Sequence, residues 1–384
     1  MKRRSKTPTV GRPHGFSMIE LMVAVTLALV VSAAAVAVFV ASRSSYLSTS
    51  GTAALADGGR FALDFIQNSV RSAGFMACNT AARQTSQLAI AASPVYANFG
   101  EALGGFEAAG SAPGSTYTTS ATPVSLAAPV APDASTADWL SPVGVAPPGL
   151  DPALADLVLK NNDVLVVYST LRNAQPVYLT NGISVGDTSF AVNSSTGLQG
   201  GQLAAISDCA KSLVVWISSV AGTTVGLSSG TWPNNSQAGS LLSFAVGAQV
   251  TPIDTTVYYI GKGADGDGAL FSYDLNGSGT FTANELVPDI EAMQVLYGMD
   301  TTGTQTVSEY VTADQVVTTV NPILNFNNVM SVKVAVLAAS QPGAVPIPAT
   351  QQTYNLLGTL VKVPQDSRAR QVFEMTIGLR NMAL

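Results

Sequence analysis

Residues 16–41 read FSMIELMVAVTLALVVSAAAVAVFVA, 26 positions with Glu20 as the single charge. At a rise of about 1.5 Å per residue this segment makes a helix of roughly 39 Å, long enough to cross the hydrocarbon core of a bilayer. Lys2, Arg3, Arg4, Lys6 and Arg12 precede it with no acid among them. By the positive-inside rule the leader stays cytoplasmic and everything after the apolar run faces outward. A cleaved secretory signal, using the small cluster Ser32, Ala33, Ala34 and Ala35, is one ordinary reading of such a stretch, and a plain membrane anchor is another. Neither accounts for Glu20, because a carboxylate inside hydrocarbon costs on the order of 2.5–3.5 kcal/mol and is normally paired.

In a chain that begins at Phe16, Glu20 sits one helical turn from the new α-amino group. It is then in reach of the same group on a neighbouring copy, which makes it an assembly residue. Gly15 followed by Phe16-Ser17-Met18-Ile19-Glu20-Leu21, behind a basic leader and ahead of a long apolar run, resembles the class III signal of type IV pilins. The resemblance implies cleavage between Gly15 and Phe16 by a prepilin peptidase and N-methylation of Phe16.

Beyond the apolar run, helical spacing resumes over Asp57–Arg71, with Phe61, Phe65, Ile66 and Val70 on one apolar stripe. This predicts one long helix from Phe16 to about Ala73, loosened near Gly51 or Gly58 and ended by Gly74. The phrases Gly58-Gly59-Arg60-Phe61-Ala62-Leu63 and Arg71-Ser72-Ala73-Gly74-Phe75-Met76-Ala77-Cys78 resemble the PilW family of minor pilins. In the C-terminal third, Glu285-Leu286-Val287, Met293–Gly298, Tyr310–Val316 and Arg370–Asn381 carry the same resemblance.

The expected fold class is α+β, a long N-terminal pilin helix followed by a large β-rich domain. Residues 1–15 form a removable basic leader, 16–41 the membrane-spanning half of the helix, 42–77 its amphipathic second half, and 78–384 the exported domain. Residues 81–152, rich in Ala, Ser, Thr, Pro and Gly with no sustained period, read as a long surface loop. Strand signals follow at Asp163–Tyr168, Thr188–Val192, Ser212–Val220, Thr256–Ile260, Ala269–Tyr273, Asn328–Leu337 and Gln371–Leu379. On the last of these Phe373, Met375, Ile377 and Leu379 share a face. Ile290, Met293 and Leu296, at 3-residue spacing, predict a helical turn within Pro288–Tyr297.

Composition narrows the chemistry. The 384 residues include 18 Lys and Arg, 24 Asp and Glu, one His and two Cys, with 47% hydrophobic and 11% charged. Once the leader is removed, 13 bases face 24 acids, a net charge of −11. Such a surface repels phosphate backbones, so no nucleic-acid partner is expected. The only histidine is His14, inside the leader. A mature chain therefore has no imidazole for a nucleophile triad, a His-ligated zinc or a facial-triad iron, and the chain reads as a structural protein rather than an enzyme. Gly182-Ile183-Ser184-Val185-Gly186 satisfies G-x-S-x-G without a base or a strand-to-helix elbow. Gly261-Lys262-Gly263-Ala264-Asp265-Gly266 satisfies G-x-G-x-x-G but leads into a strand where a phosphate site needs a helix. Both read as turns.

Cys78 and Cys209 lie in the exported region, where disulfides persist, and are expected to be joined. Asp274–Glu285, reading DLNGSGTFTANE, has the spacing of an EF-hand calcium loop. It places Asp274, Asn276, Ser278, Thr282 and Glu285 at side-chain ligand positions and the carbonyl of Thr280 at the seventh. Only Asp274 and Glu285 are carboxylates, so the expected affinity falls in the extracellular range of about 10⁻⁴–10⁻³ M. Against it, a strand leads in, and Asn-Gly and Ser-Gly are ordinary hairpin turns. No other cofactor is expected.

The resemblance implies a minor pilin in the complex that primes type IV pilus assembly and stays at the tip, supporting twitching motility and adhesion. Its implied partners are other minor pilins and the major pilin through the N-terminal helix, prepilin peptidase, the inner-membrane assembly machinery and a PilY-type tip adhesin. The implied location is the inner membrane, single-pass, with the C-terminal domain periplasmic before assembly and at the pilus tip afterwards. A J-type pseudopilin of a type II secretion system, which uses the same signal and helix, is the alternative. A free periplasmic binding protein would instead be cut near Ala35.

Overall fold

A computed structural model describes residues 15–76, 79–80, 84–86, 99–113, 124–125, 136–140, 149–171, 174–227, 243–275, 281–316, 325–348 and 350–380. The chain divides into two compact units, residues 1–50 and 51–384.

Helix α1 runs without interruption over Met18–Ser72. No break occurs at Gly51 or Gly58, because intrahelical bonds on either side outweigh the roughly 1 kcal/mol a single glycine costs. The helix ends where expected, with Gly74 in the left-handed region at φ 71° and its N–H donating to the Tyr168 carbonyl at 2.8 Å. The amphipathic half thus stops at Ser72 rather than residue 77, and Phe75–Met76 is already a strand. In the second unit the helix buries Gly51, Leu55, Gly59, Ala62, Leu63, Ile66 and Val70, at steps of three and four. The predicted stripe is corrected at one position: Phe61 is 58% exposed, because Leu55, Ala62, Ile66 and Val70 define the inward line and Phe61 falls off it.

The second unit is built mainly on two sheets, largely antiparallel. The principal strands are β1 (Leu103–Ala108), β2 (Val164–Thr170), β3 (Gln202–Ser207), β4 (Ser212–Ala221), β5 (Thr224–Leu227), β6 (Gln249–Lys262), β7 (Gly268–Leu275), β8 (Phe281–Pro288), β9 (Ile290–Met299), β10 (Glu309–Val311), β11 (Val329–Ala339) and β12 (Arg370–Gly378). Strand β6 is the spine of the larger sheet. One edge of β6 pairs with β3 and then β7, and the other pairs with β2, which in turn pairs with β1. The smaller sheet has the order β10-β9-β11-β12.

One core joins α1 to both sheets, gathering Ile66 and Val70 with Leu165, Val167, Tyr258, Met293, Val295, Val334, Val336 and Ile377. Burying Ile66 and Val70 completely stabilises the docked helix by about 1.5–3 kcal/mol each. Phe373 and Met375 pack against this core from β12 with Ile377, as their alternation predicts.

Two expectations are overturned. Residues 290–299 form strand β9 and hold no helical turn. The segment is buried on both faces between β10 and β11, so its apolar residues carry no alternation and the 3-residue spacing is incidental. Residues 81–152 are not loop throughout: β1 is a buried strand of the larger sheet, a 3₁₀ turn spans Thr136–Asp138, and Trp139–Leu140 pairs with β1.

Candidate functional site

The N-terminal helix half is the first candidate. Gly15 and Phe16 are both exposed, Phe16 by 87%. The most apolar 18 residues of α1 have a mean hydropathy of 2.7, and none of that window is buried. Nearly every large side chain from Met18 to Val40 is exposed. A stretch of this kind is matched to lipid or to the helices of other chains rather than to water.

Glu20 lies in the first turn, and Ser17 N donates to its Oε2 at 3.0 Å. Ile19 N donates to Ser17 Oγ at 3.4 Å, and Leu21 N to the Ser17 carbonyl at 3.1 Å. Ser17-Met18-Ile19-Glu20 has the S-x-x-E pattern and makes half of a capping box: the Glu20 carboxylate reaches back to the Ser17 amide, while Ser17 Oγ accepts from the Ile19 amide. Reading Glu20 for assembly alone overlooked this signal, which was legible in the sequence. The carboxylate also sits at the positive end of the helix dipole, where a negative charge is favoured.

The remaining expected sites are placed as follows. The Cys78–Cys209 pairing involves Cys78, which lies outside the described residues. Cys209 occupies the turn between β3 and β4 at φ 66°, its N–H donating to Ser207 Oγ at 3.3 Å. In the calcium loop, Asn276, Ser278 and Thr280 also lie outside the described residues. The flanking carboxylates do not form an EF-hand. Strands β7 and β8 are a hairpin with Asp274 opposite Thr282 and Phe271 opposite Glu285. Asp274 accepts from Ser272 Oγ at 2.6 Å and Asn284 Nδ2 at 3.2 Å, whereas Glu285 accepts from Ala264 N at 2.9 Å. The pleat sends Asp274 and Glu285 to opposite faces of the hairpin. The described residues on either side of the loop are the pleated strands β7 and β8, where an EF-hand has helices.

Gly261–Gly266 forms the end of β6 and the turn into β7, and Ser184 lies in a turn where Ser184 N donates to Asp187 Oδ2 at 2.7 Å. Neither is a phosphate loop nor a nucleophile elbow.

Sequence reasoning missed a cluster at the start of β12. The Arg370 side chain is 2% exposed. Its Nε donates to Glu291 Oε2 at 2.6 Å and its Nη2 to Glu291 Oε1 at 2.9 Å, and the fork also binds both oxygens of Asp366, at 2.7 and 2.6 Å. These bonds hold the Asp366 carboxyl below its ordinary range, against the opposing effect of burial. Arg368 pairs with Asp267 and with Asp289, the latter at 3.3 Å. Asp265, Asp267 and Asp289 bring one carboxylate oxygen each within 4.8 Å of one another, but the Arg368 guanidinium already supplies the counter-charge. The cluster pins β12 to β9 and to the β6–β7 turn, where a bidentate arginine is more effective than a lysine.

Comparison with known proteins adds two family matches. Residues 257–381 match the model described as Type IV Pilus-assembly protein W, and residues 11–36 match the prokaryotic N-terminal methylation motif. No curated protein sequence matches the chain. Among solved structures, it is similar to a type IV-like pilin from Thermus thermophilus, with 21% identity over 35% of this chain and 70% of that one and a TM-score of 0.21. That TM-score is too low to speak for a shared fold.

Proposed function

We infer that this type IV pilin-like chain, with the PilW match in its last third and the prepilin motif at its start, is a minor pilin of a type IV pilus. It acts in the complex that primes assembly and remains at the tip. The observation that carries the reading is the exposed, uninterrupted apolar helix beginning three residues after Gly15, with Glu20 as its only charge before Arg43. Cleavage after Gly15 would free the α-amino group of Phe16, and Glu20 would then pair with that group on an adjacent subunit and set the axial register. The apolar halves would pack laterally, with Ala33, Ala34 and Ala35 permitting close approach.

In this reading the protein waits in the inner membrane with its N-terminus cytoplasmic and its β-rich domain outside, then leaves with the fibre. Its partners are other minor pilins, the major pilin, prepilin peptidase, the assembly machinery and a tip adhesin, and the outcome is motility and attachment. The role is structural, not enzymatic. The J-type pseudopilin reading shares the helix and the signal; the PilW match over residues 257–381 supports the pilus instead.

The test is a Glu20→Ala variant expressed in place of the wild-type chain. The expected result is normal membrane insertion with loss of co-purifying pilins and of surface fibres. Normal piliation with normal partner recruitment would contradict the proposal. Loss of protein secretion with intact fibres would point to the pseudopilus.

A further inference from the structure

The two sheets of the exported unit meet at a pair of buried carboxyls. Asp163, 2% exposed and immediately before β2, accepts from Ala108 N on β1 at 3.0 Å through Oδ1 and from Val295 N on β9 at 2.8 Å through Oδ2. Asp163 N in turn donates to the Met293 carbonyl at 3.1 Å. Its neighbour Asn162 accepts from Met293 N at 2.8 Å, and the Asn162 carbonyl accepts from Trp139 Nε1 at 2.8 Å. One side chain thus bonds a strand of each sheet, and the residues beside it reinforce the seam.

Glu107, on β1 and 1% exposed, is the next residue after the Phe106–Val164 pair of the β1–β2 ladder and so lies across from Asp163. Ser111 Oγ donates to Glu107 Oε1 at 3.4 Å, but Oε2 is buried with no donor directed at it. Asp163 already accepts a backbone N–H at each oxygen, which favours its ionised form and makes Glu107 the partner that brings the proton to the contact between the two carboxyls. The other titratable groups acting on the pair are Asp314, from the 3₁₀ turn Ala313–Gln315, and Tyr297 on β9, whose hydroxyl donates to the Gly104 carbonyl at 3.2 Å. Neither is a cation. Two adjacent buried anions, with no cation beside them among the described residues, would repel in a medium that screens them poorly.

We propose that Glu107 stays protonated at neutral pH and donates to Asp163, and that losing this proton opens the seam between the two sheets. The pair is a proton-dependent latch within the exported domain. Burial and the neighbouring Asp163 and Asp314 charges push Glu107 well above its ordinary range, while the bonds from Ala108 N, Val295 N and Glu107 favour the ionised form of Asp163 against its own burial. Glu107 and Asp163 precede the PilW-matched segment and Val295 lies within it, so the latch fastens the upstream strands to the part of the domain that carries the family match. The inference is independent of the pilus assignment.

The test is hydrogen exchange of the full chain in detergent micelles, comparing wild type with Glu107→Gln, an uncharged isostere that still donates to Asp163. Protection factors at Ala108, Met293 and Val295 should fall at least tenfold between pH 6 and pH 9 in the wild type and stay level in Glu107→Gln. Equal behaviour of the two proteins across that range would overturn the proposal. If Glu107→Gln does not fold, carbon-13 carboxyl NMR of glutamate-labelled wild type decides: a Glu107 signal at the protonated position at pH 7 supports the latch, and one at the ionised position refutes it.

Discussion

Phe373 on β12 occupies the space that a side chain at Gly59 on α1 would need: a Cβ built at residue 59 overlaps the phenyl ring. The helix therefore docks onto the smaller sheet through a missing side chain. Its neighbour Gly58 differs, since a Cβ there would meet only Val287 Cγ1, at 3.7 Å.

This contrast gives the first prediction. Gly59→Ala should destabilise the second unit by about 1–3 kcal/mol through overpacking, whereas Gly58→Ala should be neutral or stabilise it by up to about 1 kcal/mol through helix propensity. Thermal unfolding of the two variants side by side measures the difference, and equal effects would mean that α1 does not seat on Phe373.

A second prediction concerns pH. Glu101 is raised from 4.5 to about 7, chiefly by burial, with a backbone hydrogen bond from Phe326 opposing the shift. A carboxyl raised on folding contributes stability that is fully present below its unfolded value and is lost as pH rises through the folded value. For Glu101 that loss falls between about pH 4.5 and 7 and amounts to on the order of 3 kcal/mol. Asp366 shifts the opposite way, so its contribution is lost as pH falls below the ordinary carboxylate range. The melting temperature should therefore peak in mild acid and decline toward pH 8, and Glu101→Gln should lessen that decline. A melting temperature that climbs from pH 5 to 8 would contradict this account.

Arg370 supplies the third. Removing one partner of a buried, paired charge costs about 3–5 kcal/mol because the others are left uncompensated. Arg370→Ala should show that loss in chemical unfolding and expose β12 to exchange. Arg370→Lys should recover only part of it, since an ammonium cannot bind Glu291 and Asp366 bidentately. Full rescue by lysine would show that charge alone matters at this position.

The fourth concerns the two cysteines. We propose that Cys78 and Cys209 are joined, tying the region after α1 to the β3–β4 turn. A non-reducing peptide map should contain a cross-linked Cys78–Cys209 peptide, and reduction should lower stability by up to about 5 kcal/mol, the loop-entropy figure for a closure of this length. Recovery of both cysteines as alkylated thiols from protein isolated without reductant would refute the bridge.

The parts of this molecule that the sequence discloses depend on strong local signals. The long helix and its end were readable because about twenty apolar residues, a resumed 3.6-residue stripe and Gly74 each act within a few positions. Strand β12 was readable because one face is buried and Phe373, Met375 and Ile377 alternate with Glu374 and Thr376. Strand β9 was misread for the opposite reason, since burial on both faces removes alternation. Strand β1 was hidden by Gly104 and Gly105 within a stretch of weak strand formers. The Arg370–Glu291 fork spans 79 positions and the Asp163–Val295 bond 132, so neither leaves a local pattern. Glu20 stands out in the sequence as the lone acid of an apolar run, and its bond from Ser17 N shows that it also serves the helix start, beside the assembly role proposed for it.

The central claim is that the chain is processed as a prepilin, and the mass of the mature protein's N-terminal peptide, taken from membranes and from sheared surface fibres, tests it most directly. The account predicts a peptide that starts at Phe16 and carries one added methyl group, in both fractions. A start near Val36, or an intact Met1, would mean that residues 16–41 are an export signal or an anchor, and would contradict the account.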